Sequence, residues 1–457
     1  MRAIRIIGCD RRSWGTVRGI RTDCVKTEPT ISLRGLGAAL GKPWMGFLIL
    51  GLATARIAGL FYGLCKHFSP EDFSVYYASG LLLRHGVNPY TADLAATAHR
   101  LGLETGYISQ ATDPPTFLLA FEPLTLMEIH RAYWVWQGIN FTAFAGALVL
   151  LFAPRFSNLP KHLALTLAGL AMVYAPVGNN FAIAQNKVIV LFLLAAMMRC
   201  LERKYDGWAG LFLAVAGLMR VFPLLLGFYL LFKNRWRALR FMAGGLIIGA
   251  ALTIAALGLT NSLGFLHTGV NFLTEQRWYL NSANIAIAAV VSRAFWYLGG
   301  ASLGGGLDII RRIAIGVADA VVVFALLSAT AGKDKEDADW RILSFWVAAS
   351  VALSPTAWFH YMVLMLIPIA QMAQAANQGR ASGRCLGMTG GSFILTALVG
   401  DALRIFPAYS DSIKQLEFLC LIMMIVASYW FSTDVVGVSY DANAEAIRLR
   451  PQRVARS

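Results

Sequence analysis

The chain has 457 residues, of which 57% are hydrophobic and only 14% are charged. A soluble domain carries about 25% charged residues, so this composition excludes an ordinary soluble enzyme. A bilayer core needs roughly 20 apolar residues per helix, and the chain supplies such runs many times, which predicts an all-α polytopic membrane protein. Its formal net charge is +15, and the basic clusters flank apolar runs. We therefore expect contacts with anionic membrane lipids rather than with nucleic acid.

The charge pattern predicts the orientation of the chain. Residues 1–43 hold nine Arg and Lys against three acids, and 433–457 is also basic, so both are predicted to be cytoplasmic tails. The segment 65–114 instead holds three Arg and Lys against five acids, which predicts an extracytoplasmic loop. Residues 44–432 then form one integral domain, in the plasma (inner) membrane.

The apolar runs predict about twelve transmembrane helices. They fall at 44–64, 115–129, 131–153, 162–178, 184–200, 208–232, 240–259, 309–329, 341–356, 359–375, 386–405 and 416–432. Two runs leave an alternative open. The run 115–129 is interrupted by Glu122-Pro123 and could only dip into the membrane, and the run 208–232, with Arg220 and Pro223 at its middle, could fold as a hairpin.

Two outer loops are large enough to hold structure. In the first loop, 65–114, Ser69 and Pro70 can start a helix that Gly86 ends, and 91–101 predicts a second short helix. The second loop, 260–308, contains an apolar stretch at 284–298 that is short for a crossing. We expect amphipathic helices in both loops, lying on the membrane surface.

Asp72 is the leading candidate for a catalytic base. It lies in an aromatic-rich outer loop, where an ionised carboxylate can accept a proton from an attacking hydroxyl. The alternative is structural, because Ser69 and Asp72 have the spacing of a capping box, in which Asp72 would only face a helix N-terminus.

His360 and Arg220 are candidates for binding a phosphate. His360 follows Ser354-Pro355 and is expected at the outer interface, where it could donate to a leaving-group oxygen or could simply accompany the aromatic belt residue Trp358. Arg220 is an arginine at membrane depth, which requires a partner. That partner is either a lipid phosphate or an acid on another helix.

The remaining polar residues give weaker signals. Arg277 and Arg293 in the second loop could clamp a phosphate or could be merely solvated. Asp113, before Pro114-Pro115, is interpreted as a rigid lead-in to a helix. The six cysteines are scattered without metal-ligand spacing, and no nucleotide-binding motif is present, so we expect no metal and no cofactor.

These motifs, taken in order, resemble the polyprenol-phosphate-mannose-dependent glycosyltransferases of the glycosyltransferase C superfamily, which are related to the phosphatidylinositol-mannoside mannosyltransferases. The resemblance covers most of 70–365. It rests on Asp72-Phe73, Tyr76-Tyr77-Ala78, Gly86, Asn88-Pro89-Tyr90, Pro114-Pro115, Pro123-Leu124, Ala184-Gln185-Asn186, Ala209-Gly210, Arg220, Pro223, Asn284, Arg293, Ser354-Pro355, Trp358 and His360-Tyr361. Arg220 replaces the usual Lys, and Ala184 the usual Gly.

The resemblance implies a glycosyltransferase C-type fold and a metal-independent hexosyltransferase. Such an enzyme moves a sugar, here predicted to be mannose, from a polyprenyl-phosphate carrier to a lipid or glycan acceptor at the extracytoplasmic face, with inversion. It implies Asp72 as the general base. It also implies donor phosphate binding by His360, Arg220, Arg293 and Arg277, and substrate binding by Tyr76, Tyr77, Asn284 and Trp358.

Two other classes of function remain open from the sequence alone. A polytopic lipid or glycan transporter, or a flippase, would require broken helices at matching positions of an inverted repeat, and the break at Pro223 has no evident counterpart. In a non-catalytic membrane scaffold Asp72 would be dispensable.

Overall fold

A computed structural model of the protein describes residues 43–66, 68, 70–103, 110–299, 305–331, 339–406 and 410–433. Within these residues the chain is helical and contains no strand. The all-α prediction is thus confirmed for the described part of the chain, whereas the predicted basic tails lie almost entirely outside it.

Nineteen α-helices and three 3-10 helices are found in the described residues. The first ten α-helices are α1 Pro43–Lys66, α2 Glu71–Arg84, α3 Leu94–Arg100, α4 Pro115–Phe121, α5 Ile129–Phe152, α6 Pro154–Ser157, α7 Lys161–Val173, α8 Ala175–Ala182, α9 Lys187–Glu202 and α10 Asp206–Met219. The others are α11 Leu226–Phe232, α12 Trp236–Thr274, α13 Gln276–Tyr279, α14 Ile287–Gly299, α15 Gly305–Thr330, α16 Asp339–Ala352, α17 Leu366–Asn377, α18 Gly383–Ile405 and α19 Ser410–Thr433. The 3-10 helices are Glu122–Leu126, Phe222–Leu225 and Phe359–Met365.

Six helical segments in the described residues are long and apolar enough to cross a membrane. They are Trp44–Lys66, Ile129–Phe152, Trp236–Gly269, Asp308–Thr330, Phe359–Asn377 and Ile413–Thr433. A seventh arises if α7 and α8, which are bent by 50° at their junction, are taken as one broken span. The chain is therefore a multi-pass membrane protein, but the predicted count of twelve crossings is not confirmed.

The two ambiguous runs are both interrupted, for physical reasons that the sequence shows. In 115–129, α4 passes at once into a 3-10 helix at Glu122-Pro123, and the twelve helical residues rise only about 20 Å, less than the ~30 Å hydrocarbon core. In 208–232, α10 ends at Met219 because Arg220 has extended backbone (φ −151°, ψ 132°) and Pro223 follows. Neither run is one continuous span.

The first outer loop packs into the protein. Nine of the fourteen residues of α2 are buried, and its rings join an aromatic cluster with α4 and α5 that includes Phe73, Tyr76, Phe121 and Trp136. The prediction of an amphipathic surface helix is wrong for α2, because its buried residues occupy more than one face. Its C-terminal end is as expected, since it finishes two residues before Gly86, but the helix begins at Glu71 rather than at Pro70.

In the predicted second loop, helix α14 is shorter than the helices that are long enough to cross a membrane. It exposes Ala294, Tyr297 and Leu298 on one side and buries Ala289, Ser292 and Arg293 on the other. Its position on the membrane surface stays a prediction.

Helix α10 lies tightly against α12, and this contact fixes the position of the break at Arg220. A Cβ atom at Gly210 would overlap the carbonyl oxygen of Ala238 on α12, so only glycine permits the approach. Helix α12 itself bends at Gly258, whose φ of 77° is left-handed. Helix α10 also packs on α9, and α9 packs on α5. The C-terminal end of α10, where Arg220 follows, therefore belongs to a tightly packed group of helices.

Candidate active site

A cavity of about 600 Å³ lies where α1, α2, α8, α19 and the 3-10 helix at Phe359–Met365 meet. Four residues predicted from the sequence to bind or act on substrate line it, namely Asp72, Arg220, Trp358 and His360. The fold thus brings together residues that are up to 288 positions apart in the chain.

Asp72 occupies the first turn of α2 and faces this cavity. Its backbone N–H donates to the carbonyl oxygen of Ile183 at 3.3 Å, and its carboxylate accepts from the side chain of Gln185. The residue before the helix, Pro70, provides no side-chain cap, and Ser69 lies outside the described residues, so the capping-box alternative stays a prediction.

The surroundings of Asp72 raise its pKa to about 7. The main cause is desolvation of the carboxylate, and the negative charge of Asp113 adds to it. Lys187 and Arg220 oppose the rise by stabilising the ionised form. A carboxylate with a pKa near neutrality is a far stronger base than an ordinary aspartate, and at neutral pH a large share of it is still ionised.

Arg220 forms a buried ion pair with Asp113. Its Nη2 lies 2.6 Å from Asp113 Oδ1, and the two side chains are 12% and 2% exposed. The structure thus supplies the acid partner that the sequence left open for Arg220, while phosphate binding by Arg220 stays a prediction. The interpretation of Asp113 as a mere lead-in to a helix is wrong. Arg220 can bridge to Asp113 because the extended residue 220 turns its side chain away from the axis of α10.

Gln185 connects the charged residues behind the cavity wall. Its Oε1 accepts from Tyr76 Oη at 2.8 Å, Lys187 Nζ at 2.8 Å and Arg220 Nη2 at 3.1 Å. Arg220 Nη2 also donates to Tyr76 Oη at 3.0 Å, which places the predicted substrate-binding residue Tyr76 inside this network and fully buried. Such a network holds each donor at a fixed position before substrate arrives.

Two acids and two bases balance one another in this cluster. Asp72 and Asp113 face Arg220 and the buried Lys187, whose Nζ also donates to Asn186 Oδ1 at 3.1 Å and lies 4.4 Å from the ring centre of Tyr361. Opposite charges therefore offset part of the cost of burying this cluster away from bulk water.

The loop that carries Gln185 contains a strained residue. Ala184 has a left-handed backbone with φ of 59° and is fixed there by its carbonyl oxygen, which accepts from Trp136 Nε1 at 2.8 Å. A left-handed non-glycine residue costs roughly 1–2 kcal/mol. This explains why glycine suits the position in the resembling family.

We expect Ala184→Gly to raise the free energy of unfolding by up to about 1 kcal/mol, since relief of the left-handed strain exceeds the entropy that glycine adds to the unfolded chain. Thermal unfolding of the purified protein measures this. Ala98→Gly, at a buried position of α3, should instead be destabilising. A lower melting temperature for Ala184→Gly would contradict the strain.

His360 is buried at the start of the 3-10 helix and lines the cavity. Its Nε2 has no hydrogen-bond partner in the described part of the chain. A buried ring nitrogen without a partner calls for an explanation, and a ligand in the cavity is one.

Four residues predicted to bind substrate lie elsewhere. Arg277 is exposed and pairs with Glu275 at 2.5 Å, and the guanidinium of Arg293 donates to backbone carbonyls of Asn281 and Asn284. The side chain of Asn284 bonds only backbone groups, including Ala357 N–H at 3.0 Å. Tyr77 Oη donates to the carbonyl oxygen of Met127. None of the four lines the cavity, so their binding roles stay predictions.

The sequence reasoning missed Asp113, Lys187 and Glu417. Lys187 and Glu417 carried a signal that could have found them, because a lone charge inside an apolar run is costly and marks a polar cavity or a partner. Asp113 carried no such signal, because it precedes two prolines in a predicted loop, where a charged residue is ordinary. As for metals, the described residues contain no group of three or more His, Cys, Asp or Glu side chains that could hold an ion.

The fold and the site together define a class. Membrane-length helices surround a cavity in which a carboxylate of raised pKa lies beside fixed cations and aromatic rings, which suits group transfer to or from a polar substrate at a membrane. The profile of glycosyltransferase family 87 matches residues 112–355, just over half of the chain. The protein belongs to this family of GT-C-type membrane glycosyltransferases. No curated protein matches the chain.

The matched range includes Asp113, Lys187 and Arg220 but begins after Asp72 and ends before His360. Family membership therefore shows the class of enzyme but says nothing about Asp72. A role for Asp72 is argued from its position in the cavity.

Proposed function

We propose that the protein transfers a hexose from a polyprenyl-phosphate carrier to a hydroxyl group of a lipid or glycan acceptor. We propose mannose as that hexose. The observation that carries this proposal is the position of Asp72, a carboxylate of raised pKa that faces the cavity beside Arg220 and His360. Membership of a glycosyltransferase family supports the class of reaction.

Asp72 acts as the general base in this proposal. Its carboxylate removes the proton of the acceptor hydroxyl while the oxygen attacks the anomeric carbon of the donor sugar. The bond from that carbon to the phosphate oxygen breaks on the opposite face, so the configuration inverts and polyprenyl monophosphate leaves with the bonding electrons.

Arg220 and His360 stabilise the leaving phosphate. The guanidinium of Arg220 is fixed by Asp113, Tyr76 and Gln185, and fixed charges stabilise a developing oxyanion without reorganisation. His360 supplies the unpartnered Nε2 as a donor in the appropriate tautomer. This scheme needs no metal, because Arg220 and His360 stabilise the negative charge that develops on the leaving phosphate.

We propose that the site faces the extracytoplasmic side of the plasma (inner) membrane. The basic tail before α1 favours a cytoplasmic N-terminus, and α2 follows that span directly. Three of the long spans lie between Asp72 and His360, and that odd number alone would put the two residues on opposite sides. They share one cavity, so an odd number of further segments must cross between them. We propose the broken span formed by α7 and α8 as that further crossing.

The test is sugar transfer by the purified full-length protein from radiolabelled polyprenyl-phosphate-mannose to membrane lipids and glycans. Wild type should transfer label, and Asp72→Asn should not. Absence of transfer by both would reject mannose as the sugar and lead to other polyprenyl-phosphate sugars.

The raised pKa of Asp72 predicts a pH dependence. The base works only when ionised, so the transfer rate should fall about tenfold per pH unit as the pH drops below about 7 and should level off above it. Initial rates from about two units below to about one unit above that pH measure this. Enzyme returned to neutral pH should recover full activity, which separates titration from unfolding. A flat profile across pH 7 would contradict Asp72 as the base.

A further inference from the structure

The cavity has a second polar wall that the proposed mechanism does not use. It is formed by α1 and α19 and carries Arg56, Lys414 and Glu417. The charges that act on Glu417 are those of Lys414 and Arg293, whereas those that act on Asp72 are Lys187, Arg220 and Asp113. The cavity therefore contains two separate charged clusters.

Glu417 is the buried member of this second cluster. It is only 2% exposed, and its Oε2 has no hydrogen-bond partner among the described residues. A buried carboxylate oxygen is costly to leave without a donor. Because Glu417 lines the cavity, a bound ligand that donates to this oxygen would explain it.

The chemistry of this wall selects the ligand. A carboxyl group can accept a hydrogen bond whether it is ionised or protonated, so a ligand group that carries donors suits the free oxygen of Glu417. Trp278 and Trp358 also line the cavity and offer flat apolar faces. A neutral sugar ring matches both features, because its hydroxyls donate while its C–H faces pack on aromatic rings.

We propose that Glu417, with Lys414 beside it, forms a subsite that holds a neutral sugar ring by accepting its hydroxyl groups. This inference rests on the proposed function and deepens it. The ring belongs either to the donor or to a sugar-bearing acceptor, which present the same hydroxyl chemistry.

The test measures the binding of n-octyl α-D-mannopyranoside to the full-length protein in lipid nanodiscs, with tryptophan fluorescence as the readout. Glu417→Gln, which replaces one accepting oxygen by an NH2 donor, should weaken binding by about 10-fold, the loss expected for one hydrogen bond. Asp411→Asn is the matched control, since Asp411 is an exposed acid of the same helix that does not line the cavity, and it should keep the wild-type affinity. Should Glu417→Gln fail to fold, Glu417→Asp, which withdraws the carboxylate by one methylene, should show the same loss.

Equal affinity of wild type and Glu417→Gln would overturn the proposal, as would the absence of binding by wild type below the micellar limit of the glycoside. Competition by a short-chain isoprenyl-phosphate-mannose assigns the subsite to the donor, and simultaneous binding assigns it to the acceptor. Binding is measured without turnover, so a failure here is distinguishable from a failure of the transfer assay with Asp72→Asn.

Discussion

Asp72→Asn should lower the rate of sugar transfer by about 10²- to 10⁴-fold, the usual loss when a general base is removed. Asparagine has nearly the same shape and can still bond Gln185, but it cannot take up the proton of the acceptor hydroxyl. Substrate affinity should change little, so the loss should appear in kcat. Initial rates at several donor concentrations, with wild type and variant side by side, measure both quantities.

Glu71→Gln provides the matched control for this experiment. Glu71 is the neighbouring acid in the same turn of α2 and lines the same cavity, but it is exposed, so its variant should transfer sugar at nearly the wild-type rate. Asp72→Asn should also melt at or above the wild-type temperature, because a desolvated charge is removed. Wild-type turnover by Asp72→Asn would return Asp72 to a structural role at the helix N-terminus.

Asp113→Asn should be the most destabilising of the conservative substitutions, by about 3–5 kcal/mol. It removes the carboxylate that lies 2.6 Å from Arg220 Nη2 and leaves the guanidinium buried without a countercharge. Without Asp113 to hold it, the guanidinium of Arg220 would also lose the position that its hydrogen bonds to Tyr76 and Gln185 require. Thermal unfolding of the detergent-solubilised protein should show the loss as a large drop in melting temperature.

The double variant Asp113→Asn with Arg220→Gln should recover part of this stability, because no unpaired charge remains in the site. Glu275→Gln, which breaks the more exposed pair with Arg277, should cost at most about 1 kcal/mol. If Asp113→Asn and Glu275→Gln had equal melting temperatures, the pair would not be the structural anchor of Arg220.

Composition and local pattern determined the class of protein and several site residues. A charged residue in or beside an apolar run is conspicuous because few are tolerated there, and this made Asp72, Arg220 and His360 visible before the fold was known. The residues that interrupt helices were equally easy to identify from the sequence. Glu122-Pro123 and Pro223 interrupt helices as expected, since a proline in a helix interior removes a hydrogen bond.

Only the tertiary structure decided which of these residues meet. The bonds that build the site join positions far apart in the chain, with a sequence separation of 109 for Tyr76 and Gln185 and of 144 for Tyr76 and Arg220, and no local pattern encodes such pairs. For the same reason Asp113 looked like a lead-in to a helix, and α2 was assigned to the membrane surface. A sequence shows the cost of a buried charge, but the partner that compensates it is chosen by the packing of helices in three dimensions.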